Sequence, residues 1–338
     1  MTDEKRYVLH TWTRQSDWNG ATVVGGLGAW FWDADGRRYL DLSSQAECCN
    51  LGHQHPAVVR AIQEQAAALC YVSNSWGAGP RMDLARRLVA IANGEYTTGG
   101  IRAREKAAGA GDQAGASPDG EAGFGRVFFT CDGAEATENA IKMARWYTGR
   151  QKILSRYRSY HGATHAAMKA GGDARGWSTS DGLTGVVHLL PPYCFRCPFG
   201  LRYPSCGIRC AGHVEEIILF EGPHTVAAII AEPAAGTNGI MPPPEYWPRL
   251  REMQARHRII ADVRGLGLFA VLEMDDSDKG SPMPPFPRPL PWLKQMVRSA
   301  LDRGVSIAVR GNLVIVSPPL VIDQAELDSG LSVIESLL

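Results

Sequence analysis

The pattern of apolar and polar residues predicts one hairpin and two helices in the first part of the chain. From Ala29, the sequence AWFWDADGRRYLDLSS alternates bulky and polar residues around Asp35–Gly36, which is typical of an antiparallel hairpin with a tight turn. Apolar residues then recur at helical spacing in HQHPAVVRAIQEQAAALC and in PRMDLARRLVAIAN. We therefore expect an N-terminal segment, residues 1–75, that contains the hairpin and the first helix.

A Gly- and Ala-rich stretch, residues 97–125, interrupts this pattern. It has almost no large apolar side chains and cannot bury enough surface to fix one conformation, so we expect a disordered surface insertion. Around and after it, apolar runs alternate with helical stretches: RVFFT, ATENAIKMARWY, AAIIAEP, EYWPRLREMQARH and HRIIAD. The alternation predicts parallel strands joined by crossover helices, in a large domain over residues 76–260.

The last part of the chain, residues 261–338, is predicted to be a smaller α/β domain. Strand patterns in VRGLGLFAVLEM and VSIAVRGNLVIVSPPLVI flank one helix, and AELDSGLSVIESLL predicts a terminal helix. The proline-rich SPMPPFPRPLPW cannot lie inside a regular sheet and is predicted to be a loop or linker. The expected fold class is α/β, with a mostly parallel, doubly wound large domain and this small domain.

Composition excludes several classes of partner. Lys and Arg together number 35, as do Asp and Glu, so no charge excess indicates nucleic acid. No apolar run has the length of a bilayer span, and the start of the chain has no signal-peptide core, so we expect a cytoplasmic protein without membrane contact. A small molecule is the expected ligand.

Three turns carry residues suited to ligand chemistry. Gly133 and Ala134 form a small-residue turn between an apolar run and a helix whose free N–H groups suit a phosphate, although a plain turn explains the same pattern. Tyr160 follows a short strand, where its ring can lie over a flat ligand. Glu232 ends a buried strand at the sheet edge where α/β ligands bind, or braces the following loop.

Several segments occur in the order and approximate wording of one family. The chain resembles class III aminotransferases, a pyridoxal-phosphate family of fold type I that includes ω-amino-acid and taurine:pyruvate transaminases. The matching segments are DADGRRYLDLSS, NLGHQHP, DGAEATENAIKMAR, YHGAT, AEPAAG, DVRGLGLFAVLEM and VSPPL. The resemblance implies amino transfer from an amine to a 2-oxoacid through pyridoxal phosphate, in a homodimer with active sites at the interface.

The resemblance also implies roles for the residues above. Gly133 and Ala134 would hold the cofactor phosphate through backbone N–H groups, Tyr160 would stack on the pyridine ring, and Glu232 would lie near the cofactor. Arg310 matches a family arginine that pairs with a substrate carboxylate, a task for which a planar guanidinium is suited. Without the motif, Arg310 is a surface strand residue.

Substrate class follows from one further position. Thr237 stands where the branches that use glutamate and ornithine carry a gating Glu, so the chain resembles the pyruvate-using ω-branch instead.

The family pattern breaks after HRIIAD. In the family this strand continues as a DE motif, whose Asp pairs with the pyridine nitrogen, and then as a long block that contains the catalytic lysine. Here the chain passes directly into DVRGLGLF, which opens the small domain in relatives. Asp262 belongs to either side of this junction, and at a strand end it could still pair with the pyridine nitrogen. No Asp can replace the lysine, whose amine forms a Schiff base and moves a proton.

We expect none of the seven lysines to be the Schiff-base residue. Lys279 imitates a family Lys-Gly pair, but it lies in the polar sequence MDDSDKGSPMPP. The others are Lys5, Lys106, Lys142, Lys152, Lys169 and Lys294. The first hypothesis is therefore an inactive aminotransferase homologue with an internal deletion. The second is a non-catalytic partner that binds phosphate or dimerises with an intact relative.

A third hypothesis is a metal-binding module in a cysteine-rich loop. The spacing C-x2-C-x8-C-x3-C could hold zinc or an iron-sulfur cluster through four thiolates. A similar cysteine-bearing loop occurs in the same aminotransferase branch, without a reason to infer a metal there, so we assign no metal ligands. The four residues are Cys194, Cys197, Cys206 and Cys210.

Overall fold

The computed structural model describes residues 3–97, 100–101, 123–179, 185–203, 205–207, 209–232, 234–239, 260–266, 268–274 and 290–338. Its strands are β1 (Val23–Leu27), β2 (Trp30–Asp33), β3 (Arg38–Asp41), β4 (Tyr96–Thr97), β5 (Gly100–Ile101), β6 (Lys152–Arg156), β7 (Val186–Leu189), β8 (Val226–Ile229), β9 (Ile260–Leu266), β10 (Phe269–Met274), β11 (Val305–Ser306), β12 (Ala308–Arg310) and β13 (Leu313–Val316). Its longer helices are α1 (Asp3–Tyr7), α2 (Pro56–Ala68), α3 (Gly79–Ala92), α4 (Gly133–Thr148), α5 (His165–Ala170), α6 (Arg209–Glu221), α7 (Pro291–Asp302) and α8 (Gln324–Glu335).

The chain divides into two units. One comprises Met1–Val58 together with Gly133–Leu338, and the other comprises Val59–Asp132. The second unit contains α3 and the two-residue hairpin β4–β5. Within it the Asn93 side chain closes a loop, since it donates to the backbone oxygen of Phe124 and accepts from its N–H, at 2.9 and 2.8 Å.

A buried aspartate organises the predicted hairpin, which forms from β2 and β3. Asp33 Oδ1 accepts hydrogen bonds from the backbone N–H groups of Asp35 and Arg37, at 3.0 and 2.9 Å. Gly36 has a φ of +79°, the left-handed conformation that glycine adopts without a steric penalty. The hairpin prediction is therefore confirmed, and so are the two helices α2 and α3.

The N-terminal hairpin and the C-terminal elements share one apolar core. Leu42 and Leu272 are fully buried in it, as is Ile334 of α8. β11 extends the hairpin sheet by pairing parallel to β3. At Gly330 of α8 an added Cβ would lie 2.7 Å from Cδ1 of Leu42, so only glycine allows this helix to approach so closely. Asp323 and Glu326 close the start of the helix as a capping box.

The parallel sheet has the order β7-β6-β8 in the described residues, with β6 in the centre. Ile153 and Leu154 of β6 are almost completely buried on opposite faces, because helices α4 and α6 supply apolar side chains to the two sides. The carboxyl ends of β6 and β8 are therefore neighbours.

Two strand predictions are wrong. The described part of HRIIAD, residues 260–262, does not join the parallel sheet: it belongs to β9, which pairs antiparallel with β10 in the sheet β12-β13-β10-β9. A hairpin closes locally, whereas a parallel pair needs a long crossover connection. The RVFFT segment, residues 126–130, forms no strand in the described structure, where no neighbouring strand pairs with it.

Three other sequence predictions fall largely or wholly outside the described residues. These concern most of the insertion at 97–125, the helix over EYWPRLREMQARH, and most of the proline-rich segment, whose Pro291 begins α7.

We expect the purified chain to form heterogeneous oligomers. Trp146 and Tyr147 of α4 are 77% and 93% exposed, and Phe220 of α6 is 84% exposed. Such apolar surface favours association. Sedimentation velocity should show species that grow with concentration, and the double substitution Trp146→Lys with Tyr147→Lys should reduce them.

The matched control is Tyr7→Lys with Leu9→Lys, which removes exposed apolar side chains from the N-terminal region instead. A monodisperse dimer with a sharp cooperative melt would contradict the prediction.

Candidate active site

Two of the predicted segments meet at the start of α4. An added Cβ at Gly162, whose φ is +139°, would lie 2.6 Å from the Cβ of Ala134. The Thr137 hydroxyl donates to the His161 backbone oxygen at 2.9 Å and so joins the helix to the segment that follows β6. At Gly133 an added Cβ would meet no atom within 4 Å, which leaves open space beside the first turn of the helix.

Glu232 braces the segment that carries Tyr160. Its Oε1 accepts a hydrogen bond from the Tyr160 backbone N–H at 3.0 Å, and its Oε2 accepts from the Gly236 backbone N–H at 3.2 Å. Burial raises the pKa of Glu232, while these two hydrogen bonds act in the opposite direction. The structure thus brings Tyr160 and Glu232 together at the carboxyl ends of β6 and β8.

An arginine that the sequence analysis missed covers one face of Tyr160. The Cζ atom of Arg175 lies 3.7 Å from the centre of the Tyr160 ring. Asp173 holds this arginine, since its carboxylate accepts from Arg175 Nε at 3.1 and 3.0 Å, from Nη2, and from the Arg175 backbone N–H at 3.0 Å. The D-x-R spacing could have indicated this ion pair, but nothing in it indicates the contact with Tyr160.

Arg310 has an internal carboxylate partner. Its Nη2 lies 3.8 Å from Oε2 of Glu47, and the Ser317 hydroxyl donates to Oε1 of the same glutamate at 3.3 Å. Glu47 ends the turn Ser44–Glu47, in which four consecutive residues have φ values of 44°, 49°, 60° and 62°. Such left-handed backbone is costly for residues other than glycine. The role of Arg310 toward a substrate stays a prediction.

A buried aspartate, Asp41, stabilises the turn Ser44–Glu47 through hydrogen bonds. Asp41 accepts hydrogen bonds from the backbone N–H and the hydroxyl of Ser43, both at 2.9 Å, and from the Gln45 amide at 3.1 Å. Its second oxygen also lies 2.9 Å from Nε2 of His53. Buried polar contacts of this kind hold a strained segment in place.

Asp262 lies within β9, on the small-domain side of the junction. Its backbone is opposite Glu273 in the antiparallel β9–β10 pair. It therefore belongs to a different sheet from the strands that precede Tyr160 and Glu232, and not to the carboxyl end of a parallel strand. Its contact with a pyridine nitrogen stays a prediction.

Most described lysines have contacts elsewhere on the surface. Lys152 forms an ion pair with Glu221 at 2.7 Å, and Lys294 forms one with Asp17 at 3.2 Å. Lys142 lies over the Trp146 ring at 5.5 Å, and the Lys5 amine donates to the Ser16 backbone oxygen at 3.4 Å. Lys169 is half-buried on α5, whereas Lys106 and Lys279 lie outside the described residues.

The four cysteines of the loop are free thiols. Burial raises the pKa of the Cys194 thiol, and the neighbouring thiols of Cys210, Cys197 and Cys206 add to the increase. Among the residues that the structure describes, no group of three or more His, Cys, Asp or Glu has an arrangement that could hold a metal ion. In the same part of the chain, no helix combines the length and the apolar character needed to cross a bilayer.

Comparison with known proteins identifies the family. The sequence profile of class III aminotransferases matches residues 13–260 and, separately, residues 247–338. The chain belongs to the class III aminotransferase family, which confirms the resemblance in its motifs.

Curated relatives are about twice as long as the matched part. The leucine/methionine racemase of Thermococcus litoralis is 33% identical over 246 residues, which cover 71% of this chain and 49% of that protein. The hypotaurine/taurine–pyruvate aminotransferase of Paracoccus denitrificans is 31% identical over 249 residues, or 71% and 48% of the two chains. The chain thus spans about half the length of the curated relatives it matches.

Solved transaminase structures share the fold. Taurine:2-oxoglutarate aminotransferase from Bifidobacterium kashiwanohense, in complex with PLP and glutamate, has a TM-score of 0.82 at 24% identity, and the alignment covers 99% of this chain and 95% of that one. An S-selective transaminase from Bacillus megaterium has a TM-score of 0.76 at 17% identity, with coverages of 99% and 96%. The predicted α/β fold of type I is confirmed.

Pyridoxal phosphate is the cofactor of this family. The open space beside Gly133 suits the phosphate end. The ring end does not fit on the face of Tyr160 that Arg175 covers, and Asp262 lies in another sheet. The residues present therefore do not fit the complete cofactor.

We expect Glu232→Gln to flatten the pH dependence of stability. Burial places the folded-state pKa of Glu232 above its ordinary value of 4.5, so folding favours the protonated form. That contribution is full below pH 4.5 and is lost as the pH rises through the folded-state pKa. Urea unfolding across a pH series should show this loss in the unsubstituted chain and a smaller one in the variant.

Glutamine has one carbonyl oxygen, as the protonated carboxyl does, so at low pH the variant should match the unsubstituted chain within about 1 kcal/mol. Glu215→Gln, at an exposed position of α6, is the control and should leave the profile unchanged. An identical pH slope in the Glu232 variant would contradict the assignment.

Proposed function

We propose that this chain is a class III aminotransferase homologue that does not catalyse amino transfer. The observation that carries the proposal is the junction at β9: this strand leads directly into the small-domain hairpin, with no intervening block to supply the catalytic lysine. The two separate matches to the family, which meet at residues 247–260, support an internal deletion at the same place.

The reaction from which the chain derives is amino transfer from an ω-amino acid or amine to pyruvate or another 2-oxoacid. The similarity to a hypotaurine/taurine–pyruvate aminotransferase and Thr237 at the gating position both favour this class. In family terms we divide the chain into an N-terminal segment (1–75), a truncated large domain (76–260) and a small domain (261–338).

The alternative is a non-catalytic protein that binds phosphate or dimerises with an intact relative, in the cytoplasm. Two observations favour it: the open first turn of α4 beside Gly133, and the exposed aromatic side chains of α4 and α6. The exposed aromatic side chains of α4 and α6 would equally suit the interface of a homodimer of the family type.

Borohydride reduction tests the missing lysine. The chain is incubated with pyridoxal phosphate, reduced and digested, and its peptides are analysed by mass spectrometry. We expect no lysine to carry a stoichiometric pyridoxyl group, and no alanine to form from taurine and pyruvate above the level without protein. The Paracoccus denitrificans hypotaurine/taurine–pyruvate aminotransferase, treated in parallel, is the positive control.

Stoichiometric labelling of one lysine together with alanine formation would refute the proposal. Lys169→Ala and Lys279→Ala variants would then identify the amine, since Lys169 lies near the site in sequence and Lys279 has the family-like Lys-Gly context.

A further inference from the structure

We infer that Arg175 takes the place of a flat ligand on Tyr160 and closes this ring face to a pyridine. The inference rests on the proposed role of Tyr160 as the ring-stacking residue, but it does not depend on the missing lysine. It therefore describes a property of the non-covalent site itself.

The contact distance leaves no room for a ring between the two side chains. Arg175 Cζ lies 3.7 Å from the centre of the Tyr160 ring, and Cζ is the central atom of the planar guanidinium. Non-bonded carbon atoms pack at about 3.5–4.0 Å, so two planes at this distance are already in contact. A pyridine ring in between would need roughly twice that separation.

Asp173 fixes the guanidinium over the ring. The carboxylate accepts from Nε and Nη2 of Arg175, and also from its backbone N–H. The two side chains are 9% and 19% exposed, so water screens the pair less than it screens an ion pair on the open surface. Arg175 therefore does not leave Tyr160 without breaking a partly buried, charge-assisted contact.

A second aromatic side chain lies against the same guanidinium. The Trp12 ring centre is 5.7 Å from Arg175 Cζ, within the range of a cation–π contact. Trp12 has a φ of +55°, an uncommon backbone conformation for a bulky residue. Two aromatic rings and one carboxylate thus hold Arg175 against one face of Tyr160.

Tyr160 itself cannot move away easily. Glu232 accepts a hydrogen bond from its backbone N–H, and the same carboxylate is tied to Gly236. Access of a pyridine to this face of Tyr160 therefore depends on Arg175 alone. Arg175 is the residue to substitute.

Probes without an aldehyde cannot form a Schiff base with a lysine, so their binding reports only non-covalent contacts at the site. Isothermal titration measures the dissociation constants of pyridoxine 5′-phosphate, which has the ring and the phosphate, and of inorganic phosphate. A substitution at Arg175 removes a positive charge, which weakens the binding of both phosphate-bearing probes alike. The ratio of the two dissociation constants therefore isolates the contribution of the pyridine ring. We expect the two constants to agree within about twofold in the unsubstituted chain, since stacking is blocked.

Arg175→Gln should make pyridoxine 5′-phosphate bind about five- to tenfold more tightly than phosphate, the gain typical of aromatic stacking. Adding Tyr160→Ala to this variant should return the ratio to its original value. The control is Arg38→Gln, because Arg38 lies 5.3 Å over the Trp30 ring, in a comparable contact elsewhere. Circular dichroism confirms that each variant is folded.

Three results would overturn the inference. The first is an unsubstituted chain that already prefers pyridoxine 5′-phosphate about tenfold. The second is an Arg175→Gln ratio that equals that of the Arg38→Gln control. The third is the absence of binding of either probe by every variant, because the site would then not accept the phosphate end either.

Discussion

The pairing of β9 with β10 determines what the rest of this chain can be. Six residue pairs, from Leu266 opposite Phe269 to Ile260 opposite Met274, tie the junction into an antiparallel sheet, with one register irregularity before the last pair. A strand satisfies its backbone groups in one sheet or in another, and not in both at one edge. β9 pairs with β10 through one edge, and in the described residues it does not extend the parallel sheet that carries the candidate site.

The pairing of β9 with β10 explains why only some of the predicted site residues lie together. The loops after β6 and β8 keep their close arrangement, because Glu232 holds the Tyr160 backbone and Gly162 allows the approach of Ala134. These contacts need only neighbouring strands and one helix. These contacts do not involve Asp262, which lies in the other sheet.

Sequence patterns predicted the elements whose causes are local. The turn at Asp33 and Gly36 and the periodicity of α2 and α3 depend on residues close in the chain, and all were found as expected. The sheet that contains residues 260–262 was predicted wrongly, because an apolar run does not specify its neighbouring strands. The contact of Arg175 with Tyr160 spans a turn and a short helix, and no spacing in the sequence indicates it.

The N-terminal hairpin and the C-terminal helices share one apolar core, so the two ends of the chain pack against each other. β3 and β11 pair in parallel, and Leu42 packs against α8 at Gly330, so distant parts of the chain are joined without help from the parallel sheet. A change in length in the middle of the chain therefore alters a segment that is anchored on both sides. Such an arrangement ties the two ends of the chain together, so the segment between them can vary in length while both ends keep one common core.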